Sequence, residues 1–300
     1  MSYHMPIMLN ECIEGLNIKE EGVYVDLTFG GGGHSQGILK HLKKGHLYAF
    51  DQDDDAGQNA KKFDSRSFTF VKSNFRYLKK YLKFYGVAQV DGVLADLGVS
   101  SFQINEPSRG FSTRFEGPLD MRMNREVTKT AAHVLNSYEA NDLQRILGMY
   151  GEVRNARTLA NEIVDFRSGK KFENISDLKN ILSRYAPRGR ENKYFAQVFQ
   201  AIRIEVNEEL DVLKEMLTQC NEIISEGGRL VVMSFHSLED RLVKNYISKG
   251  KFDGEADKDL YGNLIRPFQP IHRKPITARK EELELNNRAR SAKLRVAEKI

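Results

Sequence analysis

The chain has 300 residues, 40% hydrophobic and 29% charged, with 23 glycines and 7 prolines; that suffices for one large domain or two ordinary ones and excludes a disordered or collagen-like chain. The longest nearly unbroken apolar run, Leu230 to Phe235, is too short for a membrane span, Met1 to Glu21 has no secretory pattern, and two cysteines cannot form a disulfide framework or a four-ligand zinc site, so a cytoplasmic protein is expected. The net charge of +5 is unevenly placed: ten Lys/Arg face four Asp/Glu from Arg266 to Ile300, and the other 265 residues carry 36 against 37, so the tail reads as either a phosphate-contacting surface or a solvated segment.

In chain order, Val23 to Asp26, His46 to Asp51, Phe68 to Val71 and Val90 to Asp96 are β-branched or aromatic runs bounded by turn residues, and they predict four strands. Helix-compatible pieces, Ser35 to Lys44 and Phe75 to Tyr85, lie between them, so the pattern is α/β with a parallel sheet covered on both faces. After Gly117-Pro118 helical periodicity takes over. Val153, Ala156, Leu159, Ala160, Ile163 and Val164 form one apolar face, and Leu210, Leu213, Leu217, Cys220 and Ile224 another. Asn207 is expected to cap the second of these helices, with Glu208 and Glu209 at its positive end, and Gly227-Gly228 to end it. Arg229 to Phe235 returns to strand, the last helix before Gly227 packs back on the sheet, prolines 267, 270 and 275 mark an extended connection, and Ala292 to Val296 alternates like a final strand. The expected division is a sheet domain of 1–106 and 217–300 with an inserted helical domain of 107–216.

The segment from Val25 through Gly30-Gly31-Gly32-Gly33 to His34-Ser35 is strand, glycine turn, helix start, and such a turn lets a ligand approach the backbone. No Gly-Lys-Ser/Thr follows, which argues against a P-loop. Asp51 directly ends the second strand and is expected on ribose hydroxyls, with a solvated acidic turn as the other reading. Asn74 and Phe75 follow the third strand where an adenine would be recognised and stacked, Phe75 serving equally as a core anchor. Asp96 ends the fourth strand beside the first, where a carboxylate is costly unless it is hydrogen-bonded or faces a cleft. Asp26 is expected to serve either the ligand or the glycine loop itself. The glycine spacing departs from G-x-G-x-x-G, which counts against a dinucleotide and for S-adenosylmethionine.

These segments, with Asp96 to Gln103, Arg109 to Ser112, Gly117 to Met123, Phe199 to Asn207, Ser234 to Arg241 and Arg288 to Arg295, resemble the RsmH/MraW family of bacterial small-subunit ribosomal RNA methyltransferases from near the first residue to the last. The resemblance implies a Rossmann-like class I methyltransferase sheet, an inserted all-helical domain that helps bind RNA, and N4-methylation of a cytidine in 16S ribosomal RNA. It implies cofactor contacts from Gly32, Gly33, His34, Asp51, Phe75, Asp96 and Gln103. The chain departs from the family pattern at Asn105, Glu116, Ala278 and Asn287, and none of these is a proposed cofactor contact.

The free cytosine amine is a poor nucleophile because its lone pair is delocalised, and an acceptor on its N–H would localise that pair. Asp96 is the expected acceptor or cofactor clamp, with the carbonyls of Gly98 to Ser101 as rivals. Arg109 and Arg122, interleaved with Phe111 and Phe115, are expected against single-stranded RNA, or as part of a packed loop. Asn207, Arg290 and Lys293 complete the expected substrate set with His236, which serves equally as a helix cap. No metal site is expected. The partner is expected to be the small ribosomal subunit, where the target base is more accessible than in a regular duplex; the oligomeric state is left open, a homodimer being one option. The competing readings are another RNA or DNA exocyclic-amine methyltransferase, an NAD(P)-dependent oxidoreductase, and a nucleic-acid-binding protein without catalysis.

Overall fold

The computed structural model describes residues 6–300, and residues 1–5 lie outside it. The first part of the chain runs α1 (Leu9–Leu16), β1 (Val23–Asp26), α2 (Gly33–Leu39), β2 (His46–Asp51), α3 (Asp54–Ala60), β3 (Phe68–Lys72), α4 (Leu78–Phe84) and β4 (Val90–Asp96). A helical stretch follows: α5 (Ser101–Asn105), α6 (Ala131–Ser137), α7 (Ala140–Gly151), α8 (Ala156–Gly169), α9 (Ile175–Tyr185) and α10 (Glu191–Asn207). The last part contains α11 (Glu209–Ile223), β5 (Ile224–Ser234), α12 (Ser237–Lys249), β6 (Phe268–Pro270), α13 (Lys280–Leu285) and β7 (Lys293–Lys299).

Seven strands form one sheet in the order β3-β2-β1-β4-β5-β7-β6. β1 to β5 pair in parallel, β7 is antiparallel to β5, and β6 is antiparallel to β7. The parallel sheet expected from the sequence therefore becomes mixed at one edge, where β7 runs antiparallel to β5 and β6 antiparallel to β7. Alternate strand residues feed opposite faces, as a pleat demands. Val25, Val93 and Ala95 join α4, α11 and α12 side chains on one face, while Tyr24 and Leu94 join α1, α2 and α3 on the other. The chain leaves β1 for β2 on one side and later places β4 on the other side, so β1 and β4 form the switch point at which α/β sheets bind ligands.

The chain divides into two compact units, one holding the described residues up to Gly98 with Leu210–Ile300, the other Val99–Glu209. The division falls at Gly98 and Glu209, against the expected 106 and 216, since α5 belongs with the helical unit and almost all of α11 belongs with the sheet unit. The helical unit has its own core, built by Leu143, Ile146 and Leu147 of α7, Leu159 and Ile163 of α8, Leu178 and Ile181 of α9, and Val198 and Ile202 of α10.

Local details correct the sequence expectations. α2 stops at Leu39, short of Lys44, because the N–H groups of Lys43, Lys44 and Gly45 turn to the carbonyl of Glu20. Phe75–Tyr77 is a 3-10 turn capped by Asn74, and α4 begins only at Leu78. Asn207 does not cap α11: it is the last residue of α10, and left-handed Glu208 (φ 53°) separates the two helices. Nor do Gly227-Gly228 end that helix, which stops at Ile223 and leaves Ile224 in β5. The glycines occupy a register shift of β5 against β4, where a Cβ on Gly228 would stand 2.9 Å from the carbonyl oxygen of Asp91.

Candidate active site

The ends of β1, β2 and β4 are tied together by the loops that leave them. Leu27 N–H donates to the Leu94 carbonyl, Phe29 N–H to the Phe50 carbonyl, and Asp96 N–H to the Thr28 hydroxyl at 2.7 Å. Asp26, fully buried, accepts from Thr28 N–H at 3.1 Å and from the Ser35 hydroxyl at 2.7 Å, bridging the strand end and α2. Of its two expected roles, the geometry supplies the one that holds the glycine loop.

Within that loop Gly30 (φ 50°) and Gly32 (φ 80°) adopt left-handed backbone. A Cβ on Gly32 would meet Phe63 at 2.7 Å and Phe29 at 2.9 Å. Gly31 is different. It has no left-handed backbone, is exposed, and a Cβ there would meet nothing within 4 Å, so the fold itself gives no reason for a glycine. Asp51 braces the turn: Oδ2 accepts from Gly30 N–H at 2.7 Å and Oδ1 from Asp53 N–H at 2.9 Å, while Asn59 donates to the Gly30 carbonyl at 3.1 Å. Burial pushes the Asp51 carboxyl up to about 6, against the pull of those two N–H groups and with the push of Asp53 and Asp26. Each Asp51 oxygen retains a lone pair for a ligand hydroxyl.

Asp96 faces the same loop. Its Oδ2 lies 3.8 Å from Nδ1 of His34, whose ring is almost wholly buried. Oδ1 is cut off from solvent and has no hydrogen-bond partner among the described residues, although the side chain as a whole is 26% exposed. Burial raises the Asp96 carboxyl to about 6; His34 opposes the rise, and Asp26 and Glu239 add to it. An orphaned carboxylate oxygen costs several kcal/mol or takes up a proton, so this atom calls for a donor that the described residues do not supply. Beside these groups, Asn74 accepts from Arg76 N–H and donates to Gln52 at 2.9 Å, which engages the amide expected on a base, and Phe75 is half-buried against the sheet. The structure thus brings Gly32, Gly33, His34, Asp51 and Asp96 to neighbouring strand ends.

A family model described as the MraW methylase family matches residues 1–300. The chain belongs to the MraW methylase family. It is 59% identical over 297 residues to the ribosomal RNA small subunit methyltransferase H of Cytophaga hutchinsonii, covering 99% of each chain. It is 53% identical over 301 residues to the protein of the same name from Christiangramia forsetii, covering 100% of this chain and 99% of that one.

In this MraW-family chain the other expected site residues lie apart from the glycine loop in sequence, and most have work inside the protein. Gln103 forms a capping box at the start of α5, its Oε1 accepting from Ser100 N–H at 2.9 Å. Arg109, 1% exposed, donates to the carbonyls of Arg122 and Met123 and lies over the Phe111 ring. Arg122 forks onto Asp120 at 2.9 and 2.7 Å and donates to the carbonyls of Arg125 and Val127. Asn207 accepts from Met123 N–H and donates to the Met121 carbonyl, both at 2.8 Å. Arg109, Arg122 and Asn207 therefore converge on one loop, at whose centre Met121 is held left-handed (φ 60°). The exposed cations of that stretch are Arg114 and Arg125.

His236 caps α12, its Nδ1 accepting from Glu239 N–H at 3.4 Å while the Glu239 carboxylate accepts from Phe235 N–H at 2.9 Å. Lys293 and Arg295, two apart on β7 and so on one face, both reach Asp240, at 3.2 and 2.7 Å. Arg290 is exposed. Sequence reasoning passed over Thr28, Asn59, Glu239 and Asp240. Only Glu239 left a readable trace, as the third residue after the His236 cap, the spacing of a capping box.

Proposed function

We propose that this chain transfers the methyl group of S-adenosylmethionine to the exocyclic N4 amine of a cytidine in 16S ribosomal RNA. The observation that carries the reading is the buried Oδ1 of Asp96, unpartnered among the described residues, beside a glycine turn whose Gly31 the fold itself does not require, in a chain that matches the family throughout. When bound, the cofactor supplies an electrophilic methyl group on a sulfonium. Gly31, Gly32 and Gly33 offer backbone at close approach, Asp51 offers its remaining lone pairs to hydroxyls, and Phe75 offers an aromatic ring at the same end of the sheet. Asp96 supplies negative charge, which favours a cationic ligand, and an acceptor that localises the amine lone pair.

RNA contacts are assigned first to exposed cations. Arg290 is exposed, and Lys293, although it reaches Asp240 at 3.2 Å, keeps 43% of its side chain exposed. Arg109, Arg122 and Asn207 act by fixing the loop around Met121, which then presents Arg114 and Arg125. A folded or partly folded small subunit suits this chain better than a regular duplex, since extracting a paired base costs a few kcal/mol. Among the described residues no helix is long and apolar enough to cross a membrane. The test is to incubate the protein with labelled S-adenosylmethionine and small subunits from cells lacking the modification, then to map the nucleoside by mass spectrometry. N4-methylcytidine at one site is the expected product; no incorporation, or a methyl group on another atom, refutes the reading.

A further inference from the structure

The imidazole of His34 is pinned at one end. Its Nε2 lies 3.0 Å from the carbonyl oxygen of Ile7, and a carbonyl only accepts, so Nε2 carries the ring proton. In the neutral ring Nδ1 then bears a lone pair, and that lone pair faces Oδ2 of Asp96 at 3.8 Å. Two electron-rich atoms turned toward one another in a low-dielectric place attract a proton between them. The surroundings sharpen this. The other groups acting on Asp96 are the acids Asp26 and Glu239, and the buried Cys12 thiol feels Asp96 in turn.

We propose that His34 is a positioning residue for methyl transfer, whose Nδ1 faces Oδ2 of Asp96 and shares with that carboxyl the proton that the target amine releases, Oδ1 being the acceptor for that amine. The proposal rests on the methyltransferase reading above. The charges balance through the step. Beforehand the sulfonium is +1 and the pair, carboxylate plus neutral imidazole, is −1. As the nitrogen–carbon bond forms, the carbon–sulfur bond breaks and its electron pair stays on sulfur, leaving a neutral thioether. N4 sheds one proton to Oδ1 of Asp96, rotation of the protonated carboxyl about its Cβ–Cγ bond turns that proton toward Nδ1 of His34, and the pair, now holding one shared proton, is neutral.

Two variants separate this role from simple packing. Gln at position 34 can still place an N–H near Ile7 but has no lone pair at the Nδ1 position, whereas Asn can reach toward Asp96 but not Ile7. For His34→Gln, with thermal melting matching wild type, kcat at saturating donor and subunit falls at least ~10-fold at pH 7, the donor KM changes less than about twofold, and the kcat deficit shrinks as pH rises toward about 9, where a released proton needs less help. His34→Asn melts lower and does not regain the pH dependence. A second readout needs no turnover: imidazole nitrogen NMR of the full chain shows His34 as the Nε2–H form at pH 7, and Asp96→Asn moves its Nδ1 resonance. An equal kcat loss for His34→Gln at every pH, a loss confined to donor KM, or a His34 spectrum indifferent to Asp96→Asn overturns the proposal. A wild-type chain inert toward small subunits instead overturns the functional reading, while the NMR result still decides whether the pair exists.

Discussion

Gly31 and Gly32 are adjacent, yet adding one methyl group to each should have opposite effects. At Gly32 (φ 80°) an alanine pays the left-handed backbone penalty of roughly 1–2 kcal/mol. Its Cβ would also press on Phe63 at 2.7 Å and Phe29 at 2.9 Å. Those rings pack edge to face with centroids 5.3 Å apart, and Phe29 touches Phe68 and Phe70 as well, so they have little room to yield; overpacking adds about 1–3 kcal/mol. Gly32→Ala is expected to lose about 2–5 kcal/mol of unfolding free energy. At Gly31 the Cβ enters open space without backbone strain, so Gly31→Ala should be neutral or gain up to about 1 kcal/mol from the stiffer unfolded chain. If Gly31 is a glycine to admit the cofactor, the same harmless methyl group should weaken S-adenosylmethionine binding at least ~10-fold, about 1.4 kcal/mol. Urea unfolding of the apo-proteins and calorimetric titration with the cofactor read the two quantities separately. A Gly31→Ala protein that is stable and binds S-adenosylmethionine as wild type does would refute the assignment of the turn as the cofactor seat.

Asp96 gives a pH prediction with a definite sign. Its folded carboxyl lies near 6, above the unfolded value of 3.8, so the folded state holds the proton more tightly and this residue's contribution to stability falls as pH rises from about 4 to about 6. Asp96→Asn removes that fall, so the variant gains about 3 kcal/mol relative to wild type between pH 4 and pH 7; a pH-independent difference in urea unfolding contradicts it. If the carboxylate is the working form, wild-type kcat/KM drops on the acid side of about 6. Arg290→Ala should reduce the salt slope of RNA binding by roughly 0.7–0.9 without changing stability. Arg109→Ala should leave the slope unchanged and cost about 3–5 kcal/mol of stability, because its buried guanidinium holds the carbonyls of Arg122 and Met123; the reverse pattern in filter binding and melting would exchange their roles.

Where a residue's job was local, it could be read from the sequence. β2 and β4 occupy the expected His46–Asp51 and Val90–Asp96, since apolar runs between turn residues need no distant partner to declare themselves. Asp51 and Asp96 stand at strand ends as expected because a strand's end is also a local property. What failed was non-local. The Asn207-Glu208-Glu209 sequence has the look of a helix start, but the Asn207 amide is taken by Met121 and Met123, more than eighty residues away. Arg109 likewise looked like a surface cation because nothing near it in sequence announces the two carbonyls that bury it. Gly227-Gly228 gave a true signal of unusual backbone and a wrong element, since a strand irregularity and a helix terminus call for the same residue.

The central claim, that the glycine turn with Asp51 and Asp96 seats a sulfonium nucleoside, is tested most directly by titrating the full chain with S-adenosylmethionine and, in parallel, with NADH. Saturable one-to-one binding of S-adenosylmethionine, lost in Asp96→Asn and absent with NADH, is the predicted result. Binding of NADH with none of S-adenosylmethionine would contradict it.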